Sequence, residues 1–121
     1  MNSKKILLVG GSREIYSFSV QLKNAGFTVD SADNPDLAYE KTKEMRPDAA
    51  IFIHLSYWEA VGQFAEKIRK EKGCEHIKIL YLSSEIEGND QPQLQKFGVR
   101  TFTLGPVPEA EVIRFIKENI S

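Results

Sequence analysis

Five short apolar runs at fairly even intervals constrain the fold of this chain more than any other feature of its sequence. They span residues 6–9, 27–29, 49–53, 79–82 and 101–104, and β-branched or aromatic side chains are frequent in them. Runs of this length and composition are typical of β-strands, whereas the longer segments between them have the spacing of amphipathic helices. The pattern predicts five strands that alternate with five helices.

Apolar stripes and chain breakers define the predicted helices. The first and third helices carry apolar residues at helical spacing, namely Ile15, Phe18, Leu22, Ala25, Val61, Phe64, Ala65 and Ile68. An amide N-cap and a proline at the first helical position favour a second helix that begins at Asn34 and Pro35, and Pro47 ends it. Pro92 allows only a short fourth helix, and the fifth opens at Pro108.

Strands that alternate with helices of this length favour an α/β fold, in which a parallel sheet is covered by helices on both faces. The nearly continuous apolar runs at residues 6–9 and 49–53 support strands that are buried on both sides. Residues 1–121 contain no repeat, low-complexity tract or linker, so we expect one domain. In such sheets ligands bind at the carboxyl ends of the strands, and functional residues are expected there.

Charge and cysteine content exclude several classes of function. Lys and Arg total 16 against 17 for Asp and Glu, so the net charge of -1 provides no overall positive field for nucleic acid or an anionic membrane. Cys74 is the single cysteine, which rules out an internal disulfide and fits a reducing cytosol. The apolar stretch at residues 6–9 is too short for a signal peptide or a membrane span. We expect a cytoplasmic protein without a nucleic-acid or membrane partner.

Landmarks near the strand ends resemble those of a known family. They are the run from Lys5 to Val9, Arg46-Pro47-Asp48, Gly62, the run from Ile79 to Ser84, Phe97-Gly98-Val99 and Gly105-Pro106. In order and spacing they resemble the receiver domain of response regulators in two-component signal transduction, and the resemblance runs from residue 4 to residue 121. It implies a flavodoxin-like, doubly wound sheet of five parallel strands in the order 2-1-3-4-5.

The residues that carry receiver chemistry are substituted in this chain. That chemistry needs an acidic pair after strand 1 and a phosphoacceptor aspartate after strand 3, because carboxylate oxygens hold Mg²⁺ next to the phosphoryl group. By the resemblance, Gly10 and Gly11 replace the acidic pair, and Gly105 replaces the lysine that contacts the phosphoryl group. The acceptor position maps to His54 when counted back from the glycine of helix 3, or to Ile53 when counted forward from the proline before strand 3. The resemblance therefore implies a pseudo-receiver, for which we expect no cofactor, no Mg²⁺ binding and no enzymatic activity.

Two further positions match the conformational switch of the family. Ser83 and Phe102 stand where the resemblance places the switch hydroxyl and the switch aromatic ring. Without phosphorylation as a trigger, these residues change their arrangement only if a partner binds one arrangement better. The alternative interpretation makes Phe102 a core or half-buried strand residue.

Acidic residues elsewhere in the chain do not replace the lost carboxylates. Asp48 precedes strand 3 and is therefore expected at the opposite edge of the sheet, while Asp30 and Asp33 follow an edge strand. Glu59 and Glu85 belong to loops near the site, but isolated acids at strand ends are usually solvated. We expect no metal site.

The turn from Gly10 to Arg13 carries the main alternative hypothesis. Its two glycines let backbone N–H groups approach a ligand, Ser12 offers a hydroxyl, and Arg13 offers a positive charge at a helix N-terminus, which together could hold a phosphate-bearing small molecule. The turn lacks the third glycine of a dinucleotide-binding motif and the lysine of a P-loop. Small residues that fill the space of lost carboxylates, with Ser12 as the helix cap, also explain it. A third hypothesis is residual phosphotransfer through His54.

Candidate contact surfaces follow from aromatic and apolar residues near the site. Tyr57 and Trp58 form an aromatic pair in the loop after strand 3, and aromatic anchors dominate binding hot spots. The resemblance implies docking through the face of helix 4, strand 5 and helix 5, with Leu94 and Phe97 as contact residues. Basic residues near the end of helix 3, among them Arg69, are interleaved with acids, which is typical of a solvated helix face rather than of nucleic-acid contact.

These features predict a stand-alone pseudo-receiver that acts by protein–protein contact in signal transduction, independently of phosphorylation. Its partner is expected to be another signalling protein, and pairing with a second copy of the chain is compatible with the sequence. We expect no output domain after helix 5, and we therefore expect the protein to work through another molecule.

Overall fold

A computed structural model describes residues 4–53, 58–83, 91–103 and 109–120, in which strands and helices alternate. The strands are β1 Lys5–Gly10, β2 Thr28–Ala32, β3 Ala49–Ile53, β4 Lys78–Ser83 and β5 Val99–Thr103. The helices are α1 Ser12–Asn24, α2 Pro35–Met45, α3 Trp58–Lys70, α4 Gln91–Lys96 and α5 Glu109–Ile120.

The strands pair in parallel to form one sheet with the order β2-β1-β3-β4-β5. This order confirms the predicted flavodoxin-like, doubly wound α/β fold. Because β1 and β3 are neighbours, their carboxyl ends meet, and Gly10 lies opposite Ile53. Ile53 in turn lies opposite Leu82 of β4. β2 and β5 are the two edge strands of the sheet.

Each face of the sheet packs against its own set of helices. Leu8, Ile51 and Leu80 are buried in the core that includes α1 and α5. Phe52 and Ile79 are buried in the opposite core, which includes α2, α3 and α4. Each fully buried leucine or isoleucine stabilises the fold by about 1.5–3 kcal/mol. Burial on both faces explains the nearly continuous apolar runs of β1 and β3 and holds their carboxyl ends in a fixed register.

The edge strand β2 differs from its prediction. It spans Thr28–Ala32 rather than residues 27–29, so Asp30 lies inside the strand and does not follow it. Its apolar signal is weak because an edge strand exposes most of its side chains. Lys41 of α2 protects this edge, since its ammonium binds the Ser31 carbonyl at 2.6 Å and the Asp30 carboxylate at 3.3 Å.

Three other boundaries also differ from prediction. The N-cap of α1 is Gly11, and Ser12 is already the first helical residue, so Ser12 is not the predicted cap. Trp58 is the first residue of α3 and belongs to that helix rather than to the preceding loop. β5 spans Val99–Thr103 rather than residues 101–104, because it pairs with β4 from its first residue. Within the described residues, no helix is long and apolar enough to cross a membrane.

The start of α2 confirms its prediction. Pro35 is the first helical residue, and the side chain of Asn34 accepts a hydrogen bond from the Leu37 N–H at 2.9 Å. The helix ends at Met45, and Arg46 then takes a left-handed φ of 46°. A side-chain cap and a proline at the first position are strong local signals, and this boundary is accordingly readable from the sequence alone.

Thr42 carries a buried hydroxyl on α2 that has no hydrogen-bond partner among the described residues. Replacement by valine keeps the shape of the side chain and removes the unsatisfied oxygen, so Thr42→Val is expected to raise the free energy of unfolding by about 1 kcal/mol. Urea unfolding followed by circular dichroism measures the change. Thr28→Val at an exposed position of β2 is the control and should change the free energy of unfolding by less than about 0.5 kcal/mol. An unchanged or lower stability of Thr42→Val would contradict the prediction.

Candidate functional site

The carboxyl ends of the strands meet at one edge of the sheet, where the sequence places the site. β1 ends at Gly10, β3 at Ile53 and β4 at Ser83. The register puts Gly10 opposite Ile53, and it puts Ser83 opposite Thr103, the last residue of β5. The fold thus brings together the predicted site positions on β1, β3 and β4.

Gly10 lies against the last residue of β3 at this edge. Its φ is +154°, and a Cβ atom added there would lie 2.6 Å from the backbone carbonyl oxygen of Ile53. That separation is far inside van der Waals contact, and the oxygen belongs to the backbone of a buried strand, which would have to shift. Gly11 differs, because its φ of -68° and ψ of 148° are extended values that any residue adopts, and it is exposed. Position 10 therefore strongly disfavours a side chain, whereas position 11 does not.

Ile53 is the described candidate for the phosphoacceptor position. It is the last residue of β3, and its side chain is fully buried in the core that includes α1 and α5. An aliphatic side chain has no nucleophilic atom, and this one does not reach solvent. The other candidate, His54, lies outside the described residues, as does Gly105 at the position of the family's lysine.

The turn that leads into α1 has the geometry of an ordinary helix start. The Gly11 carbonyl accepts the first helical hydrogen bond from the Ile15 N–H at 3.1 Å. Arg13 is exposed and forms no ion pair with any described residue. The close approach of β1 to β3 accounts for the glycine at position 10 without a ligand. The structure therefore gives a packing reason for one of the two glycines in the predicted phosphate turn.

The predicted switch pair is described only in part. Ser83 ends β4, and the placement of its side chain is not described. Phe102 is half-buried on β5, and its ring centroid lies 4.5 Å from that of Phe115 on α5, with 40° between the ring planes. Aromatic pairs at this distance contribute about 0.5–1.5 kcal/mol beyond the area that they bury. Phe102 is thus a packing contact between β5 and α5, as the alternative interpretation of the sequence states.

The acidic residues considered as metal ligands are spread over the molecule. Asp48 lies at the amino-terminal edge of the sheet, where its carboxylate accepts a hydrogen bond from the Lys5 N–H at 2.7 Å. Glu59 is exposed in the first turn of α3, and Glu85 lies outside the described residues. Among residues 4–53, 58–83, 91–103 and 109–120, no three side chains of His, Cys, Asp or Glu are grouped as a metal site requires.

The structure places the predicted contact residues in different environments. Leu94 is fully buried, and its Cδ2 atom lies 3.9 Å from the position of a Cβ at Gly62. Its assignment to a contact surface is therefore wrong, because the side chain fills the space between α4 and α3. Phe97 is partly exposed, and the Lys96 ammonium lies 5.6 Å from its ring centroid. Tyr57 lies outside the described residues.

Arg69 has a role that sequence reasoning missed. Its Nε donates to the Phe97 carbonyl at 2.9 Å, and its Nη1 donates to the carbonyls of Glu75 at 3.1 Å and Ile77 at 2.6 Å. Burial of the guanidinium lowers the pKa of Arg69. The prediction of a solvated side chain is therefore wrong for this residue, which ties the end of α3 to the turns before β4 and β5. Its acceptors are backbone carbonyls, which every residue type carries, so the sequence held no signal for them.

Comparisons with known proteins identify the architecture. No protein-family model and no curated protein sequence matches this chain. Among solved structures, chemotaxis protein CheY4 of Vibrio cholerae is similar with a TM-score of 0.85 and 18% sequence identity, over 98% of this chain and 99% of that chain. A response regulator from Thermotoga maritima is similar with a TM-score of 0.83 and 18% identity, over 98% of both chains. The fold is that of a receiver domain.

A third structure with the receiver fold was solved with a bound metal. It is the receiver domain of a sensor histidine kinase from Pseudomonas aeruginosa, with a TM-score of 0.75 and 19% identity over 98% of both chains. That structure holds a magnesium ion coordinated in its active-site cleft. At this level of identity the likeness shows the receiver fold alone.

Proposed function

We propose that this protein is a pseudo-receiver, which takes part in signal transduction by binding another protein and does so without phosphorylation. The observation that carries the proposal is the distance of 2.6 Å between a Cβ added at Gly10 and the Ile53 carbonyl oxygen. A position that strongly disfavours a side chain disfavours one of the two carboxylates that receiver chemistry needs. The receiver fold supports a role in signalling, and the substituted strand ends support a role that is not enzymatic.

The residues at the strand ends do not fit a magnesium ion. Mg²⁺ requires oxygen ligands in near-octahedral geometry and is usually bound through one or two carboxylates. Gly10, Gly11 and Ile53 carry no side-chain oxygen. A carboxylate at position 10 would also displace the backbone of β3. We therefore assign no metal-dependent step to this protein.

The face formed by α4, β5 and α5 is the docking surface that we favour. β5 is an edge strand of the sheet, so one side of it is open to a partner. A cavity of about 470 Å³ on this face is lined by Gln95, Gly98, Val99, Arg100, Thr101 and Phe115. Its lining combines the exposed polar residues Gln95 and Arg100 with half-buried Phe115, and interfaces usually combine apolar and polar residues.

Gln95→Trp tests this docking surface. Wild-type protein first captures its partner from an extract of the native cell, and the affinity of the purified partner is then measured. The indole ring fills the cavity beside β5, so Gln95→Trp is expected to weaken binding at least about tenfold, which corresponds to roughly 1.4 kcal/mol. Gln63→Trp is the matched control, because Gln63 is an exposed helical glutamine on α3, and it should keep wild-type affinity.

One result would contradict the docking surface, and another would contradict the proposed function. Unchanged affinity of Gln95→Trp would move the docking surface away from the face of α4, β5 and α5. Binding that appears only after treatment with acetyl phosphate and Mg²⁺ would show that the protein works as an ordinary receiver.

A further inference from the structure

A cavity of about 340 Å³ lies at the amino-terminal ends of β4 and β5, on the opposite edge of the sheet from the strand ends of the degenerate receiver site. Residues near the ends of α3 and α5 also line it. Its charged and titratable walls are Arg69, Glu75, His76, Lys78, Arg100 and Glu118. This volume is within the range of cavities that bind small molecules, which is about 300–1,000 Å³.

The guanidinium of Arg69 brings an uncompensated positive charge to this cavity. Its Nε and Nη1 atoms donate to backbone carbonyls, which are neutral, and it forms no ion pair with a described residue. Nη2 makes no hydrogen bond to a described residue and lies 3.0 Å from the position of a Cβ at Gly98, which also lines the cavity. Two N–H donors therefore remain for a ligand. A partly buried charge without a counter-charge is unfavourable, so an anion bound there would stabilise it.

Lys78 and Arg100 add two further cations from the face of the sheet that packs against α1 and α5, whereas Arg69 reaches the cavity from α3 on the other face. Arg100 lies opposite Leu80 in the register, and Lys78 precedes Leu80 by two residues, so both side chains project from one face. Both residues are exposed, and neither forms an ion pair with a described residue. Their ammonium and guanidinium groups are thus available at the mouth of the cavity.

Two acids also line the cavity. The backbone N–H groups of Glu75, Gly73 and Cys74 lower the pKa of the exposed Glu75 carboxyl, which keeps it charged. Glu118 forms an ion pair with Arg114 at 3.5 Å. The cavity is therefore lined by three cations, Arg69, Lys78 and Arg100, against two acids, one of which is paired with a residue outside the lining.

We propose that this cavity binds a phosphate group, with Nη2 of Arg69 as the inner donor and with Lys78 and Arg100 as the outer cations. A phosphate suits three cations better than a carboxylate does, because it carries more acceptor oxygens and a larger charge. The site is separate from the Gly10–Arg13 turn and does not depend on the proposed signalling function.

Inorganic phosphate is the probe for the test. ¹⁵N-labelled protein is titrated with phosphate against sodium chloride of equal ionic strength, and amide shifts are followed by NMR. We expect saturable shifts at Ile77, Gly98 and Arg100, and at least about tenfold weaker binding in the double variant Lys78→Ala, Arg100→Ala. Both substituted residues are exposed, so the fold is retained. Arg13→Ala removes an exposed cation outside the cavity and should bind phosphate as the wild-type protein does.

Three results would overturn the site. Shifts that do not saturate, or equal weakening in the double variant and in Arg13→Ala, would indicate general charge attraction. Binding that is lost in Arg13→Ala and kept in the double variant would place the phosphate at the Gly10–Arg13 turn. Acetate binding as tight as phosphate binding would reject phosphate as the ligand class.

Discussion

Gly10→Asp is expected to lower the free energy of unfolding by about 3 kcal/mol, although it adds a carboxylate at a position where the resemblance implies one in receivers. Two effects combine in this estimate. The new Cβ would lie 2.6 Å from the Ile53 carbonyl oxygen, and the φ of +154° is one that residues with side chains rarely adopt. Overpacking of a core costs about 1–3 kcal/mol and a strained backbone costs on the order of 1–3 kcal/mol. Equilibrium unfolding in urea measures the sum.

Two other glycines separate these effects. Gly26 has a φ of +101° with no atom within 4 Å of an added Cβ, so Gly26→Ala reports backbone strain alone, at about 1 kcal/mol. Gly11→Asp places a carboxylate one residue further on, at an exposed N-cap where aspartate is favoured, and should change stability by no more than about 0.5 kcal/mol. If Gly10→Asp destabilises the protein no more than Gly26→Ala does, β3 can move aside and the account of the site is wrong.

Arg69→Ala is also expected to have a large effect and should lower the free energy of unfolding by about 3 kcal/mol. The substitution removes the donor from three backbone carbonyls, those of Glu75, Ile77 and Phe97. Each hydrogen bond to a charged group is worth about 1.5–3 kcal/mol, and partial exposure to solvent reduces the sum. Hydrogen exchange adds a local readout, because protection should fall at residues 75–78 and 97–100 before it falls elsewhere.

Two variants make the Arg69 prediction specific. Arg69→Lys keeps the charge, but a single ammonium cannot span two turns as the guanidinium does, so the stability should fall between those of wild-type protein and Arg69→Ala. Lys70→Ala removes the next cation, which is exposed and paired with Glu66 at 3.3 Å, and should lower the free energy of unfolding by at most about 0.5 kcal/mol. If Arg69→Ala and Lys70→Ala lower the free energy of unfolding equally, the contacts of Arg69 with the three carbonyls contribute nothing to stability.

The sequence predicts best the strands that are buried on both faces and the helix start that is marked by local cap residues. β1 and β3 are buried on both faces, so their apolar runs match their extents closely. Asn34 and Pro35 mark the start of α2 because cap chemistry acts within a few residues. β2 was predicted poorly, since an exposed edge strand carries polar residues such as Asp30 and exists through its pairing with β1.

Some features of the candidate site depend only on residue identity, whereas others depend on contacts between distant parts of the chain. The absence of carboxylates at the strand ends can be read from the sequence, because it depends only on residue identity. The reason why Gly10 must be glycine depends on the register of two strands that are distant in the chain, and no pattern near Gly10 shows it. The sequence does not predict the burial of Leu94 or the carbonyl contacts of Arg69, for a related reason. Amphipathic spacing does not distinguish a side chain that faces solvent from one that meets a neighbouring turn or helix.

The central claim is that this receiver fold has lost its phosphorylation chemistry, and intact-mass spectrometry tests it most directly. Purified protein is incubated with acetyl phosphate and Mg²⁺, and an active receiver domain serves as the positive control in the same reaction. A phosphoryl group adds roughly 80 Da, and histidine and aspartate adducts differ in their stability to acid and base, so the mass and its lability identify any acceptor. We expect an unchanged mass under conditions in which the control is modified. A phosphoryl adduct on the wild-type chain, whether stable or labile, would contradict the loss of phosphorylation chemistry.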